Sequence, residues 1–139
     1  MVFSIAALLQ KHGIQPSAQR LAVAEYVLRT RSHPSADRVW KAAQRKLAMI
    51  SRATVYNTLN LFVEKGLLRQ LVLTEGKVVF DPVTTPHHHF VDEVTGRIHD
   101  VPWDAVQVTA VNPPPGFEVR EYQVVLRGRK VREHRETRS

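Results

Sequence analysis

Residues 51–80, SRATVYNTLNLFVEKGLLRQLVLTEGKVVF, decide the fold class. Ser51 suits the N-cap of a helix, and Gly66 stands where a helix C-terminus favours glycine. Beyond Gly66 the apolar residues change from a period of about 3.6 to a period of two, so residues 67–73 and 77–80 are predicted to pair as a hairpin. A helix followed by a two-stranded hairpin is the second half of a winged helix-turn-helix.

Three shorter helical patterns precede this stretch. The first is an amphipathic segment, residues 5–13, that ends at a glycine. The second begins after the N-cap Ser17 and runs to about Thr30, where a His-Pro pair breaks it because the residue before a proline avoids the helical region. The third begins after Ser35 and runs to about Leu47. These helices and the hairpin predict an N-terminal winged-helix domain.

A second, smaller unit follows the wing. Its pattern predicts a hairpin from residues 87–92 and 97–101, a short helix over 104–111 and a third strand over 117–126. About 40 residues are too few to bury a stable core alone, so we expect a homodimer. The fold class is therefore α+β, and the predicted parts are a winged-helix DNA-binding domain (1–83), a hinge (84–86), a small α/β dimerisation and metal-binding domain (87–127) and a disordered basic tail (128–139).

The charge of the chain is unevenly distributed. Residues 1–81 carry 12 basic and five acidic residues, residues 82–126 carry two and six, and residues 127–139 carry six and two. A basic first part is typical of a domain that binds a polyanion such as DNA. The charge alone is equally explained by a solvated surface that only keeps the protein soluble.

The composition excludes several classes of protein. The 139 residues include no cysteine, which rules out a disulfide scaffold, a thiol nucleophile and a Cys-ligated zinc or iron–sulfur site. Since no apolar run approaches the roughly 18 residues of a membrane span and the first residues lack a signal-peptide pattern, we expect a soluble cytoplasmic protein without a membrane partner.

The helix after Ser51 has two distinct faces. An apolar stripe of Val55, Leu59, Phe62 and Val63 is predicted to be buried, which leaves the polar residues of the first turns to meet the major groove of double-stranded DNA. The predicted DNA contacts are Arg52, Ala53, Tyr56 and Asn57 on this helix, with Arg20 and Lys77, and also Lys65 and Arg69, as phosphate contacts.

The tripeptide His87-His88-His89 is the most unusual stretch. On a strand, His87 and His89 point to one face and can chelate one ion, with Asp100 on the adjoining strand and Asp81 at the end of the wing. Such spacing also arises by chance on surface strands, so a metal site and incidental surface residues both stay open.

Several strings in this chain match one known family. The chain resembles the ferric uptake regulator family, most closely its peroxide-sensing PerR-like branch, over about residues 5–127. The matching strings are Pro16-Ser-Ala-Gln-Arg20, His33-Pro-Ser-Ala-Asp37, Ser51-Arg-Ala-Thr-Val-Tyr-Asn-Thr-Leu59, Phe80-Asp81, His87-His-His89 and Gly96-Arg-Ile-His-Asp100.

This resemblance implies a metal-dependent transcriptional repressor rather than an enzyme. It implies one regulatory Fe(II) or Mn(II) per subunit, an ion that Zn(II) can replace, bridging the two domains so that metal and operator binding reinforce each other. Peroxide acting on the iron form would oxidise His33 or His87 and release the DNA. The implied metal ligands are His33, Asp81, His87, His89 and Asp100.

The chain also departs from the family. Asp92, Thr95, Lys130 and Glu133 stand where most relatives have the four cysteines of a structural zinc, so we expect none here. Pro86 replaces a ligand of a further metal site found in some relatives, although His88 and Glu121 lie nearby. The alternatives are an iron- or manganese-availability sensor, a haem-responsive regulator, a constitutive winged-helix protein and, from another class, a non-haem iron enzyme.

Overall fold

The structure, a computed structural model, describes residues 4–74 and 76–132, and the chain passes from one compact unit, Met1–Thr85, to a second, Pro86–Ser139. The described residues of the first unit form four helices and a hairpin. These elements are α1 (Ile5–Lys11), α2 (Ala18–Val27), α3 (Ala36–Ala43), α4 (Arg52–Glu64), β1 (Arg69–Thr74) and β2 (Lys77–Asp81).

The predicted serine caps begin the three longer helices. The hydroxyls of Ser17, Ser35 and Ser51 each accept a hydrogen bond from the backbone N–H three residues later, which satisfies one of the unpaired donors of the first turn. The predicted helix ends were wrong, because α2 ends at Val27 and α3 at Ala43. Just beyond each end, a backbone N–H donates to the carbonyl three residues back, from Arg29 to Tyr26 and from Arg45 to Ala42, which is the bonding of a 3₁₀ turn that ends the helix.

The core of the first unit lies under α4. Its predicted stripe is confirmed for Val55, Leu59 and Phe62, which are fully buried, whereas Val63 is partly buried. The predicted wing is confirmed as an antiparallel pair, although β1 begins at Arg69 instead of residue 67, and both strands continue one residue further, to Thr74 and Asp81. The backbone N–H of Phe80 donates to the carbonyl of Pro34 at 3.0 Å. That bond ties the end of the wing to the turn before α3.

The second unit contains a three-stranded sheet. The predicted hairpin is confirmed as β3 (His88–Asp92) and β4 (Ile98–Val101), which pair antiparallel with His89 opposite Asp100. The third strand, β5 (Val125–Gly128), lies parallel to β3 on its other side, so the order is β4-β3-β5.

Two predictions for the second unit were wrong in extent. The predicted helix over 104–111 is a single 3₁₀ turn, Trp103–Ala105, because β-branched residues dominate the rest of that segment. The third strand begins at Val125 instead of residue 117, and it ends inside the segment expected to be tail. Residues 133–139 of that predicted tail lie outside the described residues.

The helices in the described part of the chain are short. The longest has 13 residues, and none combines the length and the apolar character needed to cross a bilayer.

Candidate metal centre and nucleic-acid interface

His33 and Asp81 meet inside the first unit. Nε2 of His33 lies 3.2 Å from Oδ2 of Asp81, and both side chains are almost fully buried. The other carboxylate oxygen of Asp81 accepts the backbone N–H of Val83 at 2.9 Å. A buried carboxylate requires a positive partner or strong donors, so this pair is suited to share a cation or a proton.

The backbone places His33 for this role. It lies between α2 and α3 with a φ of 52°, among the described residues the one non-glycine residue with a positive φ. Histidine tolerates this left-handed region better than most residues, but the conformation still costs about 1–3 kcal/mol. The bond from Phe80 to Pro34 holds the turn against the end of β2, and thereby brings the imidazole to Asp81.

His87, His89 and Asp100 meet inside the second unit. Nε2 of His87 lies 3.4 Å from Oδ1 of Asp100, Nε2 of His89 lies 3.8 Å from the same oxygen, and the two rings are 4.5 Å apart. Both histidines are buried, whereas Asp100 is 47% exposed. The predicted sharing of one face by His87 and His89 is therefore confirmed.

The hydrogen bonding of His89 sets its tautomer. Its Nδ1 lies 3.0 Å from Oε1 of Gln123, and because an amide oxygen can only accept, Nδ1 carries the proton. Nε2 then presents a lone pair towards the Asp100 carboxylate. When the ring is neutral, two acceptors face each other there, and a cation or a proton shared between them compensates for this arrangement. A histidine whose other nitrogen donates to an oxygen is a common metal ligand. Sequence reasoning did not identify Gln123, and no spacing signal marks it.

His88 points away from this cluster. Its Nδ1 accepts the backbone N–H of Val124 at 2.9 Å, and its ring stacks on Trp103 with centroids 4.5 Å apart. Since Nδ1 is an acceptor, the proton of the neutral ring is on Nε2, which has no hydrogen-bond partner among the described residues. In this tautomer His88 therefore has no lone pair left for a metal.

The loop between β3 and β4 is closed by a carboxylate. Oδ1 of Asp92 accepts the backbone N–H groups of Val94 and Thr95 at 2.9 and 3.3 Å. The hydrogen bond from Val94 is the main reason why the pKa of Asp92 lies below its ordinary value, with smaller contributions from Thr95 and the charge of His99. Lys130 is exposed, and Glu133 lies outside the described residues.

The predicted DNA contacts lie on the surface of the first unit. Arg52, Ala53, Tyr56 and Asn57 are all exposed on the first half of α4, and Lys77 is exposed at the start of β2. A cleft of about 410 Å³ between the start of α2 and α4 brings Arg20 and Asn57 together. Arg20 donates to the carbonyl of Gln15 at 3.0 Å.

Arg52 is held by two residues of α3. Nη1 of Arg52 donates to Oδ1 of Asp37 at 2.8 Å, and its guanidinium carbon lies 4.2 Å above the centre of the Trp40 ring. Asp37 and Trp40 were not identified as site residues from the sequence, since the contact depends on how α3 and α4 pack.

Comparison with known proteins supports one family. Residues 11–127 match the model of the ferric uptake regulator family. The chain is 35% identical over 123 residues to the peroxide operon regulator of Bacillus subtilis (strain 168), covering 86% of this chain and 84% of that protein. It is 37% identical over 97 residues to the peroxide-responsive repressor PerR of Staphylococcus epidermidis, covering 70% of this chain and 64% of that protein, slightly under two thirds of its length.

A solved structure has the same fold. The ferric uptake regulator of Pseudomonas aeruginosa, determined with manganese, aligns with a TM-score of 0.66 at 24% identity, covering 91% of this chain and 98% of that one.

Proposed function

This chain belongs to the ferric uptake regulator family, and we propose that it is a metal-dependent transcriptional repressor that leaves its operator when peroxide oxidises its iron form. It acts in the cytoplasm, where its DNA lies. The relatives that match it at 35–37% identity are regulators, so a non-haem iron enzyme is not the function proposed.

The observation that carries the proposal is the contact of His89 and His87 with Asp100. The Gln123 carboxamide keeps the proton of His89 on Nδ1, so a lone pair and a carboxylate face each other at 3.8 Å. His87 approaches the same oxygen at 3.4 Å. Together with the imidazole of His87, these groups form a set of donors that fits a divalent cation.

His33 and Asp81 supply the remaining two ligands in this proposal. Five residues separate Asp81 from His87, and an extended chain of that length spans at most about 20 Å, so both donor sets can reach one ion. An ion held by ligands from both units would restrict their relative orientation and hence the spacing of two α4 helices in a dimer. Metal would then favour the conformation that binds DNA, and DNA would favour metal.

Three imidazoles and two carboxylates form a borderline-to-hard donor set. Such a set suits Fe(II) and Mn(II), and Zn(II) binds it as well because affinity rises towards the later metals. Fe(II) held by these ligands would supply the electrons that reduce peroxide. His33 and His87 would be the imidazoles that take up oxygen. Both are buried, which keeps the reaction local.

A homodimer on double-stranded operator DNA completes the proposal. The second unit leaves large apolar side chains in solvent, among them Phe117 at 71% exposure, which a second copy would cover. A dimer also presents two α4 helices to two half-sites.

The test compares His33→Ala with a matched control, His99→Ala. His99 is exposed and opposes Phe90, on the other side of β4 from Asp100. We expect His33→Ala to remain a folded dimer and to lose metal-stimulated operator binding, measured by fluorescence anisotropy with Mn(II) and with chelator. His99→Ala should behave as wild type.

A second test treats the wild-type protein with peroxide. Peroxide should add one oxygen to the peptide holding His33 or His87 in the Fe(II) form, as detected by mass spectrometry, and none in the Mn(II) form.

Each other outcome of these experiments would support a different function. Metal-stimulated binding that survives in His33→Ala would contradict the bridging ion. Binding by the wild type that is equal with and without chelator would indicate a constitutive winged-helix protein. Equal oxidation with both metals, or none, would indicate a metal-availability sensor, and metal independence with haem-dependent release would indicate a haem-responsive regulator.

A further inference from the structure

Arg52, the first residue of α4, has an unusually constrained side chain for a surface residue. Asp37 accepts from its Nη1 at 2.8 Å, and the Trp40 ring lies 4.2 Å below its guanidinium carbon. Trp40 is itself fixed, because its indole N–H donates to the carbonyl of Ile50 at 2.9 Å, at the end of the turn that leads into α4. The guanidinium is therefore restrained by α3 on one edge and on one face.

The opposite edge of the guanidinium is available. Nε and Nη2 of Arg52 have no hydrogen-bond partner among the described residues, and the side chain is 56% exposed. Two parallel N–H groups in this geometry match O6 and N7 of guanine in the major groove. The N-terminal turn of the second helix in a helix-turn-helix is the part that reaches base edges.

The neighbouring carboxylate argues against a phosphate contact. Asp37 is 52% exposed and lies against the guanidinium, so the pair carries no net charge and the carboxylate repels a DNA phosphate. A base edge, by contrast, is neutral and requires orientation more than charge. An exposed ion pair also contributes little to folding stability, so a role in stability alone does not account for the arrangement.

We propose that Arg52 recognises a guanine in each half-site of the operator, and that Asp37 and Trp40 are positioning residues that orient its guanidinium before DNA arrives. This inference rests on the proposed DNA-binding function and names a determinant of its sequence specificity.

The test measures base preference and non-specific affinity separately. Mn(II)-loaded full-length protein is titrated against its operator, against operators with each base pair substituted in turn, and against a duplex of unrelated sequence. The wild type should prefer guanine at one position per half-site by at least about tenfold, which Arg52→Gln should abolish. Asp37→Asn should lose most of this preference while its affinity for the unrelated duplex rises, because a negative charge has been removed.

In Asp37→Asn the guanine preference should fall while the affinity for the unrelated duplex rises. General damage to the fold would lower both, so this result distinguishes a positioning role from such damage. Asp37→Glu retains the carboxylate and should recover the guanine preference. Glu25→Gln, which breaks the ion pair between Glu25 of α2 and Arg29 just beyond it, is the matched control and should change neither quantity. Thermal unfolding of each variant checks that the exposed substitutions leave the domain folded.

Three results would count against the inference. If Arg52→Gln keeps the full guanine preference while the wild type binds its operator, Arg52 is not the determinant. If only Asp37→Asn keeps that preference, Asp37 does not orient Arg52. In both cases the proposed function stands. If the wild type binds no DNA in any metal state, the proposed function fails and this inference fails with it.

Discussion

Replacing Gln123 tests whether the second unit is built to hold a metal. Gln123→Leu keeps a side chain of similar size but removes the acceptor of the His89 Nδ1 proton, 3.0 Å away. The imidazole is fully buried, so no water replaces the lost oxygen. The ring then loses both its fixed orientation and the preference for the tautomer that leaves Nε2 free.

The expected loss of metal affinity follows from the contact between His89 and Gln123. Leaving a buried donor unsatisfied costs about 1–3 kcal/mol. Removing a hydrogen-bond partner of a metal-bound histidine lowers metal affinity about 10–100-fold, which corresponds to about 1.4–2.8 kcal/mol. We therefore expect the Mn(II) dissociation constant of Gln123→Leu to rise by about 10–100-fold, while His87 and Asp100 still provide residual binding.

The assay is a competition titration of Mn(II) between the protein and a chelating dye at constant pH. Gln107→Leu is the matched control, because Gln107 is an exposed glutamine of the same unit, and it should bind metal as the wild type does. Gln123→Glu keeps an acceptor and adds charge, so its affinity should equal or exceed that of the wild type. Wild-type affinity in Gln123→Leu would show that the hydrogen bond to Gln123 does not prepare Nε2 of His89 for a metal, and it would refute the tautomer argument.

Two other predictions use the remaining contacts. The pKa of Asp92 is lowered in the folded protein, chiefly by the hydrogen bond from Val94, so its ionised form adds stability at pH values above its ordinary pKa of 3.8, and this contribution disappears as the pH falls through the lower folded value. The difference in Tm between wild type and Asp92→Asn should therefore be present near neutral pH and vanish in strong acid, whereas a difference that grows on acidification would contradict the sign. Tyr56→Ala should weaken operator binding in anisotropy titrations with metal content unchanged by elemental analysis, because Tyr56 is exposed on α4; a loss of metal would mean that the recognition helix is misplaced.

Local chemistry made the starts of the helices predictable. Serine caps act within three residues, and the hydroxyls of Ser17, Ser35 and Ser51 bond to the N–H groups that such a cap should satisfy. The ends of α2 and α3 depend on where the chain must turn to pack the next helix, and the sequence gives no comparable local signal for them.

The second unit was harder to predict for a related reason. Alternating apolar and polar residues over 117–126 form a strand only where a neighbouring strand can pair with them. The neighbour, β3, is only five residues long, so it cannot pair with the whole predicted segment. The pairing of β5 with β3 is parallel, and the N–H of Val124 bonds to the imidazole of His88 instead of to a backbone carbonyl. Neither the parallel register nor a side-chain acceptor can be inferred from hydrophobic period.

The candidate site also has a part that could be predicted from the sequence and a part that could not. Strand period places His87 and His89 on one face, and strand pairing places Asp100 opposite His89, so that part of the ligand set follows from the sequence. The partners that orient these groups come from distant positions: Gln123 is 34 residues beyond His89, and Asp37 is 15 residues before Arg52. Tertiary packing determines which residues become such partners, and neither the hydrophobic pattern nor the spacing of motifs in the sequence indicates them.

The absence of cysteine has a structural consequence in the second unit. Where the resemblance places a zinc ligand, the Asp92 side chain bonds to the N–H groups of Val94 and Thr95, so its hydrogen bonds to described residues stay within its own loop. Among the backbone bonds of the described residues, Glu93 to Gly128 links that loop to β5 at 2.8 Å. Local bonds of this kind cannot replace a metal that joins distant segments. Strand pairing holds the sheet together. The ion proposed at His87, His89 and Asp100 would add a further link between β3 and β4, so oxidation of that site would loosen the unit that is proposed to dimerise.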